Sequence, residues 1–171
     1  MVSIAVKPDI LGLSRNDTFW LSQIYRLLPD RPVTREAYRD YLLSLQPPAR
    51  TIDALYVIDQ DIRSSGWGLA GYLAGYGGET LAIVEAELTR CGASRHLELI
   101  REVILNHQAW LRVCAHETAV ESKRLMLLPL TEPHALAWLA SPRLSPMVAC
   151  YAHLHIDELQ LQLHHSPMAA F

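Results

Sequence analysis

The chain is 171 residues long, 50% hydrophobic and 19% charged, with 18 acidic against 15 basic side chains and a net charge of −3. That is enough apolar material for one domain with a buried core, and too much for a disordered chain. The balance of charge excludes a basic binder of nucleic acid or anionic membrane. It also argues against an electrostatic imitation of DNA, which needs a dense acidic surface.

Taken in order, residues 1–13 read as a leader segment, broken at Lys7-Pro8. Asn16 or Asp17 is placed to cap a first helix with Trp20, Ile24, Leu27 and Leu28 at helical spacing, and Pro29 and Pro32 end it. Thr34 caps a second helix carrying Tyr38, Tyr41, Leu42 and Leu45, stopped by Pro47-Pro48. These helices hold Arg26, Arg31, Arg35 and Arg39, which read as a solvated face or as the contact for an acidic partner.

The third helix starts near Thr51, with Ile52, Leu55, Ile58 and Ile62 on one face and Asp53, Asp59 and Asp61 on the remainder. Ser64-Ser65-Gly66 breaks it. Trp67, Leu69, Tyr72, Leu73 and Tyr76 follow, interleaved with Gly68, Gly71 and Gly75. A phosphate loop needs a lysine and a Ser or Thr after the second glycine, and a dinucleotide fold needs flanking strands; neither is present. The glycines therefore read as points of close helix approach. Gly66, Trp67 and Tyr72 form a structural joint, with Trp67 as a core anchor. After Gly77-Gly78, Leu81, Val84, Leu88 and Cys91 make another helical face, stopped at Gly92. Ser94 caps a helix with the stripe Leu97, Ile100, Ile104, His107 and Leu111. The apolar position of His107 predicts a neutral imidazole bonded to a carbonyl or carboxylate. Helical character continues to about Leu128, with a break near Asn106.

His116-Glu117 starts a zinc-protease pattern, but Val120 stands where the second histidine is needed, so the motif fails. Thr131-Glu132-Pro133 opens a short helix through Leu136 and Leu139, closed by Ser141-Pro142; Ser145-Pro146 starts the last element. Met147, Val148, Tyr151 and Leu154 fit a helix to about Ile156. Leu159, Leu161 and Leu163 alternate like a strand, which leaves the C-terminal element open between the two, and residues 157–171 read as a flexible tail. The fold class is all-α: a single domain over residues 1–171, a bundle of about six to eight helices. Leu55, Ile58, Ile62, Leu81, Val84, Leu88, Ile100 and Ile104 are its expected core.

Cys91, Cys114 and Cys150 are far apart with no CxxC pair, so they read as buried free thiols in a reducing cytoplasm. No run reaches the ~18 apolar residues of a membrane span, and the N-terminus lacks the charge order of a signal peptide. The chain thus reads as cytoplasmic, with no membrane partner and no direct nucleic-acid partner. No cofactor is implied.

Between residues 51 and 93 the acids Asp53, Asp59, Asp61, Glu79, Glu85 and Glu87 outnumber the bases Arg63 and Arg90. Asp61 near the end of this acidic helix, the Gly66-Trp67 joint, and the Cys91-Gly92-Ala93 stop before a helix over Arg95 to Leu105 follow one pattern. Over residues 52–107 the chain resembles the bacterial DNA-mimic-like helical domain, a family of mostly uncharacterised small proteins. It departs from that pattern at Ser64-Ser65, where the family has Asn-Gly, and at Leu69, where the family has a glutamine. The resemblance implies an all-α, non-enzymatic fold that binds another protein, such as a bacterial toxin neutralised by an immunity protein, or a regulator.

The leading expectation is therefore a binding module that occludes its partner. Its contacts are expected at the acidic segment Asp53, Asp59, Asp61, Glu85 and Glu87, or at the arginine segment Arg31, Arg35 and Arg39. The alternative is a metal-dependent enzyme. If residues 152–158 are extended, His153, His155 and Asp157 project to one face and form a two-histidine, one-carboxylate set.

Overall fold

The computed structural model describes residues 17–29, 32 and 34–165, with the side chains of 17–19, 35–36, 110, 113–115 and 164–165 outside the description. Among the described residues nine α-helices follow in order: α1 (Asp17–Leu27), α2 (Arg35–Ser44), α3 (Ala49–Ser64), α4 (Gly68–Tyr76), α5 (Leu81–Arg90), α6 (Ser94–His116), α7 (Val120–Ala140), α8 (Ser145–Leu154) and α9 (Ile156–His165), with a 3-10 turn at Gly78–Thr80 before α5. No strand occurs among them, and the fold is the all-α bundle that the helical spacing predicts.

Helix α3 is the axis. Thr51, Ile52, Asp53, Ala54, Leu55, Val57, Ile58, Asp59 and Ile62 are all buried, which covers nearly every side of the helix. The neighbours responsible are α1, α2, α4, α5, α7 and α8. A helix so surrounded has no face on which a charge can stay solvated, so each polar residue on it must find a partner inside the protein.

The glycine-rich run forms α4, which packs most extensively on α7. Gly68 has φ +52, and a Cβ added there would lie 3.2 Å from the Cβ of Ala135. Close helix approach thus holds at Gly68. It does not hold at Gly75, where an added Cβ meets nothing, or at Gly71, which is tight only against Trp67 and Ser65 of its own joint. Gly92, at φ +74, ends α5 in a Schellman motif: the Ala93 N–H reaches the Leu88 carbonyl at 2.9 Å, and that of Gly92 the Thr89 carbonyl at 3.2 Å.

Three boundaries differ from the sequence expectation. Helix α6 is kinked at His107 (φ −121, ψ 15), one residue past the predicted break, and ends at His116. Residues 120–140 then form one continuous helix rather than two, with Pro129 and Pro133 inside it. The N–H groups these prolines lack would have bonded to the carbonyls of Leu125 and Pro129. Both of those residues are exposed, so water can replace the missing donors. The expected tail is helical from Ile156 to His165, with Leu159 buried at 1% exposure. Gln162 ties it down: its amide donates to the Pro47 carbonyl (2.7 Å) and accepts from the Ala49 N–H (3.2 Å). A side chain from α9 thereby caps the first turn of α3, which has no cap of its own. Residues 166–171 and the leader 1–13 lie outside the described residues. The expected core residues are buried except Ile104, which is half-buried.

Candidate functional site

The acidic segment does not form one surface. Asp53 is fully buried and accepts hydrogen bonds from the hydroxyls of Tyr38 (3.0 Å) and Tyr41 (3.2 Å) on α2. Its charge, together with burial, pushes the Tyr38 phenol far above its ordinary pKa, burial being the larger cause. Asp59, 4% exposed, accepts from Arg63 Nε and from the Trp138 indole N–H, both at 2.9 Å. Against the same tryptophan His96 lies edge-on, ring centroids 4.5 Å apart, and burial lowers its pKa. Glu87 is fully buried and accepts from Thr51 Oγ1 (2.6 Å), Arg50 Nε (2.7 Å) and Arg90 Nε (3.1 Å). These three carboxylates are internal hubs that join α3 to α2, α7 and α5. The expectation that they face a partner is corrected by their burial.

Two acids of the segment remain near the surface. Glu85 accepts from Arg101 Nε at 2.7 Å. Asp61 is half-buried; desolvation raises its pKa, and the positive charge of Arg124 opposes that shift. The Arg124 guanidinium lies over the Trp67 ring, 5.7 Å from its centroid. Trp67 is half-buried rather than a core anchor, while Tyr72 is fully buried and Gly66 is exposed. The joint therefore has an inner half at Tyr72 and an outer half where Asp61, Trp67 and Arg124 meet. In the arginine segment, Arg39 is exposed and only 3.9 Å from Asp40, a weak pair. Arg31 and the Arg35 side chain lie outside the described residues.

The set His153, His155 and Asp157 is not brought together, because α8 and α9 meet at His155 instead of running extended. His153 stacks on Trp20 with centroids 4.3 Å apart, and His155 pairs with Glu158 at 3.1 Å. A second histidine pair arises at the α6 kink: His107 and His134 meet edge-to-face at 5.5 Å, and Glu102 lies 3.7 Å from His134. Burial, His134 and the Leu130 carbonyl act on His107, with a net lowering of its pKa. Among the described residues no group of three His, Cys, Asp or Glu side chains is placed to hold a metal ion. Of the thiols, Cys91 is half-buried, whereas Cys150 is exposed, contrary to expectation; the Cys114 side chain lies outside the description.

The surface that sequence reasoning missed is the outer side of α7. Lys123, Leu127, Thr131, Ala135 and Trp138 face inward. On the opposite side run Leu125 (60% exposed), Pro129, Pro133, Leu136 (60%) and Leu139 (43%), interrupted only by Glu132. Their spacing of four, four, three and three is one helical stripe. The two prolines concealed it by suggesting a helix end near Leu128 and a restart at Thr131. No helix of the described residues is long and apolar enough to cross a membrane. No family model, no curated protein and no solved structure matches the chain.

Proposed function

We propose that this chain is a non-enzymatic, cytoplasmic protein-binding module that neutralises a partner protein by occluding it, the partner being a bacterial toxin or a regulatory protein. The observation that carries this reading is the apolar outer stripe of α7. A surface helix turns its polar face to water, yet α7 exposes Leu125, Leu136 and Leu139, with two outward prolines between Leu125 and Leu136. An apolar strip interrupted by Glu132 and flanked by Glu121 and Arg124 has the anatomy of an interface core with a charged border. The resemblance of residues 52–107 to the DNA-mimic-like helical domain supports the same class of function. The contact is thereby moved from the acidic segment, three of whose carboxylates are engaged internally, to α7, with Asp61 and Glu85 as peripheral charges.

The test is affinity capture from the native host with the wild-type protein and with a Leu125→Asp/Leu136→Asp variant, followed by an activity assay of the captured partner. Both changes are at exposed positions, so the fold is expected to persist. The wild type should inhibit the partner and the variant should neither capture nor inhibit it. Equal capture by both would reject the α7 face, and turnover of a substrate by the isolated chain would reject the occlusion reading.

A further inference from the structure

A groove of about 400 Å³ lies between the end of α5 and the outer side of α8, lined by Arg90, Cys91, Met147, Cys150, Tyr151 and Leu154, with Pro146 at one end. That volume falls in the range of small-molecule sites. Met147, Cys150, Tyr151 and Leu154 recur along one face of α8, which makes the floor a trough about 10 Å long. It is apolar throughout except at Arg90.

The charge at Arg90 is not balanced within the protein. Glu87 is shared by two guanidinium groups, Arg50 through Nε at 2.7 Å and Arg90 through Nε at 3.1 Å. One carboxylate against two cations leaves a local charge of +1. Of the two arginines, Arg90 is the more exposed, 40% against 20%. Arg90 uses its Nε on the buried acid, and its two terminal nitrogens have no partner among the described residues. No acid lines the groove. An apolar trough with one underused guanidinium at its edge is complementary to a single anionic head on a hydrocarbon tail. A bidentate carboxylate suits the guanidinium fork.

We propose that this groove binds a medium-chain fatty acid, its carboxylate on the terminal nitrogens of Arg90 and its tail along Met147, Tyr151 and Leu154. The site is independent of the α7 stripe, whose residues do not line it. Arg90 stays oriented because Glu87 fixes its Nε from within; Cys150, exposed on the trough floor, reports occupancy.

The test uses the full chain, octanoate and its uncharged counterpart octanol, and follows alkylation of Cys150 by a maleimide through peptide mass mapping. Burial pushes the Cys91 thiol up to about 11, which keeps it slow to react, and peptide mapping separates the reporter Cys150 from Cys114. Octanoate should protect Cys150 saturably, and octanol about tenfold more weakly, the expected worth of a charge-assisted bond. Arg90→Gln should lower octanoate affinity about tenfold and leave octanol unchanged. Met147→Trp fills the trough and leaves both Arg90 and Glu87 in the sequence, and it should abolish protection by both. Equal protection by octanoate and octanol, no protection by either, or protection that survives Met147→Trp would each overturn the proposal.

Discussion

Replacing Glu87 separates an internal hub from a surface contact. The carboxylate is fully buried on α5 and accepts from Thr51, Arg50 and Arg90. Glu87→Ala leaves the buried Thr51 hydroxyl without its acceptor, at about 1–3 kcal/mol. It also strips the Arg50 charge of its partner. Breaking a buried pair costs about 3–5 kcal/mol, and that figure is reduced here because Arg50 keeps 20% exposure and a contact to the Leu45 carbonyl at 3.4 Å. The Arg90 pair, 40% exposed on the arginine side, adds less than about 1 kcal/mol. The contributions share one carboxylate and do not add, so the expected loss is about 4 kcal/mol for Glu87→Ala and about 2 kcal/mol for Glu87→Gln, whose amide oxygen still serves one donor. Removing both Arg50 and Glu87 with an Arg50→Met/Glu87→Met pair should recover part of the loss, since no unpaired charge is left at position 50; Arg90 also loses its partner but is 40% exposed and can be solvated. Urea denaturation followed by far-ultraviolet circular dichroism gives each value. A loss below about 1 kcal/mol for Glu87→Ala, the range of ordinary surface substitutions, would refute the internal hub and return this residue to the surface.

Three further outcomes follow from the geometry. Burial raises the Tyr38 and Tyr72 phenols well above 10.0 in the fold. The unfolded chain therefore releases their protons above pH 10 while the folded chain holds them. Stability is complete below that pH and falls by about 1.4 kcal/mol per phenol for each unit above it, roughly 3 kcal/mol for the pair at about pH 11. Urea midpoints measured across this range should fall for the wild type and fall less for Tyr72→Phe; a flat wild-type profile contradicts the assignment. Gly68→Ala puts a side chain at φ +52 and 3.2 Å from Ala135, so a loss of at least about 1–2 kcal/mol is expected, and an unchanged thermal midpoint would reject close approach of α4 to α7 at this point. Trp67→Ala should cost about 2 kcal/mol, short of the about 3–5 kcal/mol of a core aromatic, because Trp67 is half-buried beneath Arg124; a loss in the core range would place it inside.

The helices were legible because each announces itself locally. Ile52, Leu55, Ile58 and Ile62 repeat at helical spacing; Pro47-Pro48, Gly92 and Ser145-Pro146 punctuate the chain; and the stripes require no knowledge of any partner. What was not legible depends on elements far apart in the chain. Asp53 and Asp59 occupy the polar positions of α3, and in an isolated amphipathic helix such positions face water. They are buried because the other sides of α3 are also covered, and the groups that satisfy Asp59 include an indole 79 residues away. Periodicity in one helix reports that helix alone. It cannot tell a solvated acid from one met by Tyr38 or Trp138, so counting acids along residues 51–93 overstated the charge available to a partner.

The opposite error occurred on α7, and it has the same origin. Sequence places a helix end near Leu128 and an opening at Thr131-Glu132-Pro133, whereas Pro129 and Pro133 both lie inside one helix, where a proline removes a hydrogen bond. That cost depends on where the orphaned carbonyl points, and here the affected residues are on the solvent side. Four residues apart, the prolines fall on the same stripe as Leu125 and Leu136, so the features that disguised the helix also belong to its exposed apolar face. Polar positions on a central helix turned inward, while apolar positions on a peripheral helix turned outward. Both inversions follow from the number of neighbours each helix has: α3 is enclosed, and α7 is covered along one side only. An enclosed helix must pair its charges to fold, which makes Asp53 and Asp59 structural residues, and Glu87, buried on α5 against Thr51 of that helix, joins them. A helix covered on one side has no folding reason to expose Leu125, Leu136 and Leu139, and that apolar surface is the ground on which the binding proposal rests.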